Sequence, residues 1–128
     1  MSLIDEEITE LSDRWYWYVG NDHHKDRDCH FYVACTWSYG RPPTYRASHH
    51  GYVMESWVSK EFATELEAKV ALRDKLKNGV AGALRLLRER DAKGEIEDWW
   101  GWTRQQIDAT IAVLEHGRAA GEKYYEEG

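Results

Sequence analysis

Apolar positions change period along this chain, and the changes separate helical from extended stretches. Ile4, Ile8 and Leu11 recur at helical spacing, so a short amphipathic helix is predicted over residues 3–12. Trp15-Tyr16-Trp17-Tyr18-Val19 is aromatic and β-favouring and ends at Gly20-Asn21, which predicts a first strand. A polar loop from Gly20 to Asp28 follows. Cys29 to Tyr39 then alternates with period two: Cys29, Phe31, Val33, Cys35 and Trp37 against His30, Tyr32, Ala34, Thr36 and Ser38. Gly40-Arg41-Pro42-Pro43 forces a turn, because proline fixes φ and donates no backbone hydrogen bond. Tyr45 to Val58 predicts a third strand, bulged at Gly51. Short links make the three an antiparallel meander.

The remainder has helical spacing. Thr64-Glu65-Leu66-Glu67 has the form of a capping box, with Leu66, Val70 and Leu76 following at helical intervals. Asn78-Gly79 reads as either a stop or a soft spot, after which the period runs on through Leu84 and Leu87. Lys93-Gly94 breaks it. Thr103-Arg104-Gln105-Gln106 is a second capping box, with Trp102 and Ile107 placed as a hydrophobic staple. The last helix carries Ile107, Ile111 and Leu114, then Gly117 and Gly121 four apart. A sheet must bury one face, and these helices are the cover available. The predicted fold is α+β: an N-terminal helix, a three-stranded antiparallel meander and two to three C-terminal helices packed on the sheet, in one domain over 1–128. Residues 1–3 and 127–128 read as vector-derived additions.

In element order alone, helix–three strands–helix resembles the double-stranded-RNA-binding domains. The strands with the next helix resemble the small DNA-binding domains of phage integrases. The basic helix start and recognition residues of those families are absent, so the resemblance implies no residue roles.

Composition sharpens this picture. The 128 residues include 7 Trp and 8 Tyr but only 2 Phe, and Trp and Tyr suit sites where one end stays wet. The net charge of −6 argues against a general coat for nucleic acid or anionic lipid. It is unevenly distributed: residues 1–13 carry −5, 14–60 carry +2 with five of the six histidines, and 61–128 carry −3. No apolar run is long enough to span a membrane, and the acidic start is unlike a signal peptide, so a cytoplasmic protein is expected. Cys29 and Cys35 on one strand stand about 20 Å apart, too far for a disulfide. Their alternation with Phe31 and Val33 predicts a buried Cys35 in a reduced state.

No motif names a reaction. His23, His24, Cys29, His30, Cys35, His49 and His50 form a zinc-type ligand set without ligand spacing, and neighbours on a strand point to opposite faces. The loop Asn21–Asp28 has three Asp but no EF-hand register. Phosphate-binding and nucleophile signatures are absent. No catalytic residue, metal ligand or cofactor is therefore assigned. Lys69, Arg73, Lys77, Arg85 and Arg88 would line one side of an unbroken helix, as a phosphate-contacting stripe or as a solvated face. Trp99-Trp100-Gly101-Trp102 reads as a lid over the helix pair or as a partner anchor.

Three strands would place Phe31, Val33, Cys35 and Trp37 in the core. The outer face would then form an aromatic and histidine platform of Arg14, Tyr16, Tyr18, His30, Tyr32, His49 and Trp57. The resulting expectation is a small non-enzymatic binding or accessory protein, of the kind mobile elements carry, that grips a protein partner by that platform. A nucleic-acid-binding module using the sheet face or the basic ridge, and a metal-assisted enzyme built on the middle-third histidines, are the alternatives. A homodimer through the C-terminal helix is also expected, from its apolar stripe beside Gly117 and Gly121.

Overall fold

The computed structural model describes residues 2–20, 30–50, 55–57 and 59–126, with backbone alone at 30, 49–50 and 55–57. The fold is α+β, with an N-terminal helix, an antiparallel sheet and several C-terminal helices. The chain falls into two compact units, 1–12 with 25–76 and 13–24 with 77–128. Two helices contribute residues to both units.

The first of these is α1, Leu3–Gly20. Ser2 caps it: the Ser2 hydroxyl accepts from the Asp5 N–H at 3.3 Å and donates to the Asp5 carboxylate at 2.7 Å. The predicted strand Trp15–Val19 is instead the last turns of this helix. Its residues have high β propensity, but they extend a helix that is already nucleated, and each added residue gains a hydrogen bond. Ile8, Ser12 and Tyr16 are buried at steps of four, so helical spacing continues through the aromatic run. Trp17 is enclosed with Ala109 and Val113, and Tyr125 packs against this cluster. Tertiary packing overrides strand propensity here.

Antiparallel strands β1 (His30–Thr36) and β2 (Thr44–His50) pair in register from His30↔His50 to Thr36↔Thr44. The run Glu55–Trp57 pairs antiparallel with the end of β2. The two expected C-terminal strands are thus a tight hairpin with one short addition, and the expected first strand is absent. The outer edge of β2 is covered by its own chain. Tyr45 and Phe62 exchange backbone hydrogen bonds of 2.8 and 2.7 Å, and the Ala47 N–H donates to the Ser59 hydroxyl at 2.9 Å. Arg46 and Glu61 close the same edge with a 2.9 Å ion pair. Capping an edge in this way blocks pairing with foreign strands.

Helix α2, Glu65–Ala92, runs 28 residues, about 42 Å at 1.5 Å per residue. Thr64 accepts from the Glu67 N–H at 3.2 Å, but the Glu67 carboxylate returns to the Thr64 hydroxyl, not to its backbone N–H. Ala68, Leu72, Leu76, Val80, Ala83 and Leu87 are buried at steps of three and four. That stripe crosses Asn78-Gly79 without interruption. Gly79 is a contact point for Trp15, since a Cβ there would lie 3.2 Å from the indole. Gly94, with φ 74°, ends the helix as a C′ glycine.

A single wide turn, Ile96–Trp100, buries Ile96 and ends at Gly101 in the left-handed region. Helix α3, Arg104–His116, opens with a complete capping box in which Thr103 and Gln106 each satisfy the other's backbone N–H. Gly117, with φ 102°, stops it before helix α4, Arg118–Glu122. The predicted final helix is therefore two. A Cβ on Gly121 would collide with Val113 and lie 3.0 Å from the Ala109 carbonyl and 3.1 Å from the Trp17 ring. Ile107, Leu114 and Gly121 are buried within this chain, so the features behind the expected homodimer are used internally. Among the described residues, no helix is long and apolar enough to cross a membrane.

Candidate functional site

The β1–β2 hairpin carries its most exposed large side chains just beyond the last paired residues, Thr36 and Thr44. Trp37 is 77% exposed and Tyr39 fully so. Alternation suggested that Cys35 and Trp37 would share the core with Phe31 and Val33. The structure places both in solvent, with Phe31 and Val33 half-buried. The pattern outlasts its support: Trp37 follows the final ladder pair and has no strand opposite it.

The tip backbone is rigidly specified. The Arg41 N–H donates to the Ser38 carbonyl at 3.1 Å, closing a four-residue turn with Gly40 at its third position and φ 79°. A side chain at that φ would be strained, although open space surrounds the position. Pro42 and Pro43 fix the return into β2. At the base, the Thr44 hydroxyl donates to the Thr36 carbonyl at 3.4 Å. Cys35 stands opposite Tyr45 in the ladder. The Cys35 sulfur pushes the Tyr45 phenol above its usual range, with partial burial and Glu65 adding to the effect. The tip therefore offers aromatic faces and hydroxyl or thiol groups on a stiff frame.

The seven platform positions are not gathered on one sheet. Arg14, Tyr16 and Tyr18 lie on α1, in the unit comprising residues 13–24 and 77–128, whereas His30, Tyr32, His49 and Trp57 lie on strands of the other unit. Arg14 donates to the Leu114 and Glu115 carbonyls at 3.2 and 3.3 Å, closing the C-terminal end of α3, where free carbonyls and the helix dipole favour a cation. Tyr16 is buried, and Tyr18 tilts against Trp15 with ring centroids 5.5 Å apart. Tyr32 pairs with Ser48 and so shares a face with position 57, while position 49 pairs with Phe31 and falls on the other face. Residue type and period located the strand residues. They could not show that the aromatic run beside them was helical.

The other candidates divide in the same manner. Lys69 bridges Asp5 and Glu65 at 2.9 Å each, Arg73 pairs with Glu7 and Asp74, and Arg88 pairs with Glu115, so much of the basic ridge is locally neutralised. In the Trp99–Trp102 segment, Trp102 is half-buried and meets Trp100 edge-on at 5.5 Å, whereas Trp99 is 73% exposed. Cys29, the acidic loop 21–28, Gly51 and Val53 lie outside the described residues. So do the side chains of His30, His49, His50 and Trp57. Among the described residues, no three His, Cys, Asp or Glu side chains converge as a metal site. No protein-family model, curated protein or solved structure matches the chain, so the shared element order with nucleic-acid-binding domains carries no functional argument.

Proposed function

We propose that this chain is a non-enzymatic binding module that engages a protein partner through the β1–β2 hairpin tip, centred on Trp37 and Tyr39. One observation carries the proposal: two large aromatic side chains stand in solvent on a loop fixed by a closed turn and two prolines. Exposing an indole without a partner forfeits its burial energy, and Trp and Tyr are the residues most enriched in binding hot spots. A rigid tip loses little conformational entropy on binding, so its aromatic contacts convert efficiently into affinity. Tyr32, on the strand that leads into this tip, belongs to the proposed surface. A cytoplasmic setting is part of the proposal, and the exposed free Cys35 thiol suits a compartment that keeps thiols reduced. A nucleic-acid surface is less well supported, because Lys69, Arg73 and Arg88 are engaged by carboxylates.

The test compares the chain with its Trp37→Ala/Tyr39→Ala variant as bait in lysate of the source cell. The expected result is a protein retained by the parent chain, lost with the variant and unaffected by nuclease. Retention by both baits, or loss on nuclease treatment, would exclude the tip as a protein-binding surface.

A further inference from the structure

The connection between α2 and α3 lies wholly within the unit comprising residues 13–24 and 77–128, and it combines solvent-facing indoles with a local excess of acid. Residues 89–108 hold six acids (Glu89, Asp91, Glu95, Glu97, Asp98 and Asp108) against three bases (Arg90, Lys93 and Arg104). Internal pairing does not remove this excess. Arg90 is matched to Glu95 at 2.7 Å. Arg104 is held by three carboxylates together, Asp91 at 2.7 Å, Glu97 at 3.0 Å and Asp108 at 2.8 Å. A single guanidinium among three carboxylates leaves two negative charges uncompensated. The Arg104 guanidinium also holds the Asp91 carboxyl below its usual range.

Asp98 adds a further exposed carboxylate directly before Trp99. The indoles are specifically presented. The wide turn Ile96–Trp100 is anchored by fully buried Ile96, and Gly101, with φ 71°, turns the chain so that Trp102 returns to support Trp100 edge-on. Trp99 is left 73% and Trp100 40% exposed. A π face attracts cations, and adjacent carboxylates select the same charge. An anionic or purely apolar partner would leave the carboxylates repelled or desolvated.

We infer that the α2–α3 connection is a docking surface for a lysine- or arginine-bearing segment of a partner protein, with Trp99 and Trp100 receiving the cationic side chain and Asp98 fixing its charge. This surface is independent of the hairpin tip, and its test leaves Trp37 and Tyr39 intact, so either proposal can fail alone.

The test measures fluorescence anisotropy of three labelled peptides, repeating Gly-Ser-Lys, Gly-Ser-Gln or Gly-Ser-Glu, titrated with the full chain. The lysine peptide is expected to bind, to weaken as salt rises, and to exceed the glutamine and glutamate peptides. Trp99→Ala/Trp100→Ala should weaken it about tenfold, the scale of a cation–π contact together with lost indole area. Asp98→Asn should weaken it by a smaller factor. Glu6→Gln/Glu126→Gln, which removes two exposed acids elsewhere, should change it less than about twofold. Circular dichroism confirms that the variants are folded, as expected for exposed positions. Equal binding, or no binding, of the three peptides at concentrations up to about 1 mM overturns the inference. So does a tryptophan variant that binds like the parent chain, or a Glu6/Glu126 variant that weakens just as much, since either reduces the effect to net charge. Self-association in sedimentation that the tryptophan variant abolishes also overturns it, in favour of a second copy as the occupant.

Discussion

The two units differ in the size of the side chains they enclose. The unit comprising residues 13–24 and 77–128 encloses Trp17, Leu87, Ile96, Ile107, Val113 and Leu114 almost completely. In the unit comprising residues 1–12 and 25–76, the described buried side chains are mostly small, such as Ala47, Ser48 and Ala68, with Ile8, Leu72 and Leu76 contributed by helices. Its hairpin presents Trp37 and Tyr39 to solvent. A large enclosed side chain contributes burial energy that an exposed one lacks. Thermodynamic stability should therefore concentrate in the unit comprising residues 13–24 and 77–128.

The largest expected effect comes from Trp17→Ala, which should destabilise the protein by about 3–5 kcal/mol in urea unfolding. Phe62→Ala, at a half-buried position beside β2, should cost roughly half as much, and the reverse order would break the comparison. Gly121→Ala comes next, at about 1–3 kcal/mol, because the added methyl meets Val113 and the Ala109 backbone. Gly79→Ala sharpens the point. Its methyl meets only the edge of the Trp15 ring, and helix propensity offsets the crowding, so a net change under about 1 kcal/mol is expected.

Helix caps give a smaller effect. Thr103→Ala breaks a complete capping box and should cost about 1 kcal/mol, whereas Thr64→Ala, with no return bond to its backbone, should cost less. The dependence on pH is smaller again. Lys69 and then Ser2 hold the Asp5 carboxyl below its ordinary value, and Arg104 does the same for Asp91. A depressed folded-state pKa gives stability that is present above the unfolded value and lost as pH falls through the folded one. Both units should thus weaken slightly below about pH 4, and Arg104→Gln should remove the contribution of Asp91 from an acid titration monitored by circular dichroism. Smallest of all is Trp37→Ala/Tyr39→Ala, expected to shift stability by less than about 0.5 kcal/mol. Native Cys35 should meanwhile react with a thiol reagent without unfolding. Slow reaction would place the hairpin thiol in a core and collapse the contrast between the units.

Local signals were most legible where one residue type has one geometric use. Thr103 to Gln106 announced its helix start, Gly94 its stop, and the Gly40–Pro43 turn its hairpin. The Cys29–Tyr39 alternation located β1 to within a few residues. Trp15–Val19 misled because β propensity describes a half-buried pleated surface, and these residues met a helical one. Asn78-Gly79 was ambiguous because glycine serves equally as a C-cap and as a close-approach position. The sequence singled out Trp99–Trp102 but left a lid and a partner anchor both open. It did not show the exposure of Trp37, since period alone placed it with Val33.

Sequence by itself determined the α+β class, the two cap-defined helix starts, the hairpin turn and the acidic, Trp- and Tyr-rich composition, all of which depend on interactions within a few residues. Only the tertiary structure decided that α1 continues through its aromatic run, that Gly117 divides the last helix, and that Gly121 lies against Val113 and Trp17. It alone also distributed the expected platform over a helix and a hairpin and gave Arg14 to the end of α3. Those outcomes depend on which surfaces meet across long sequence separations, where packing free energies outweigh the smaller preferences of single residues.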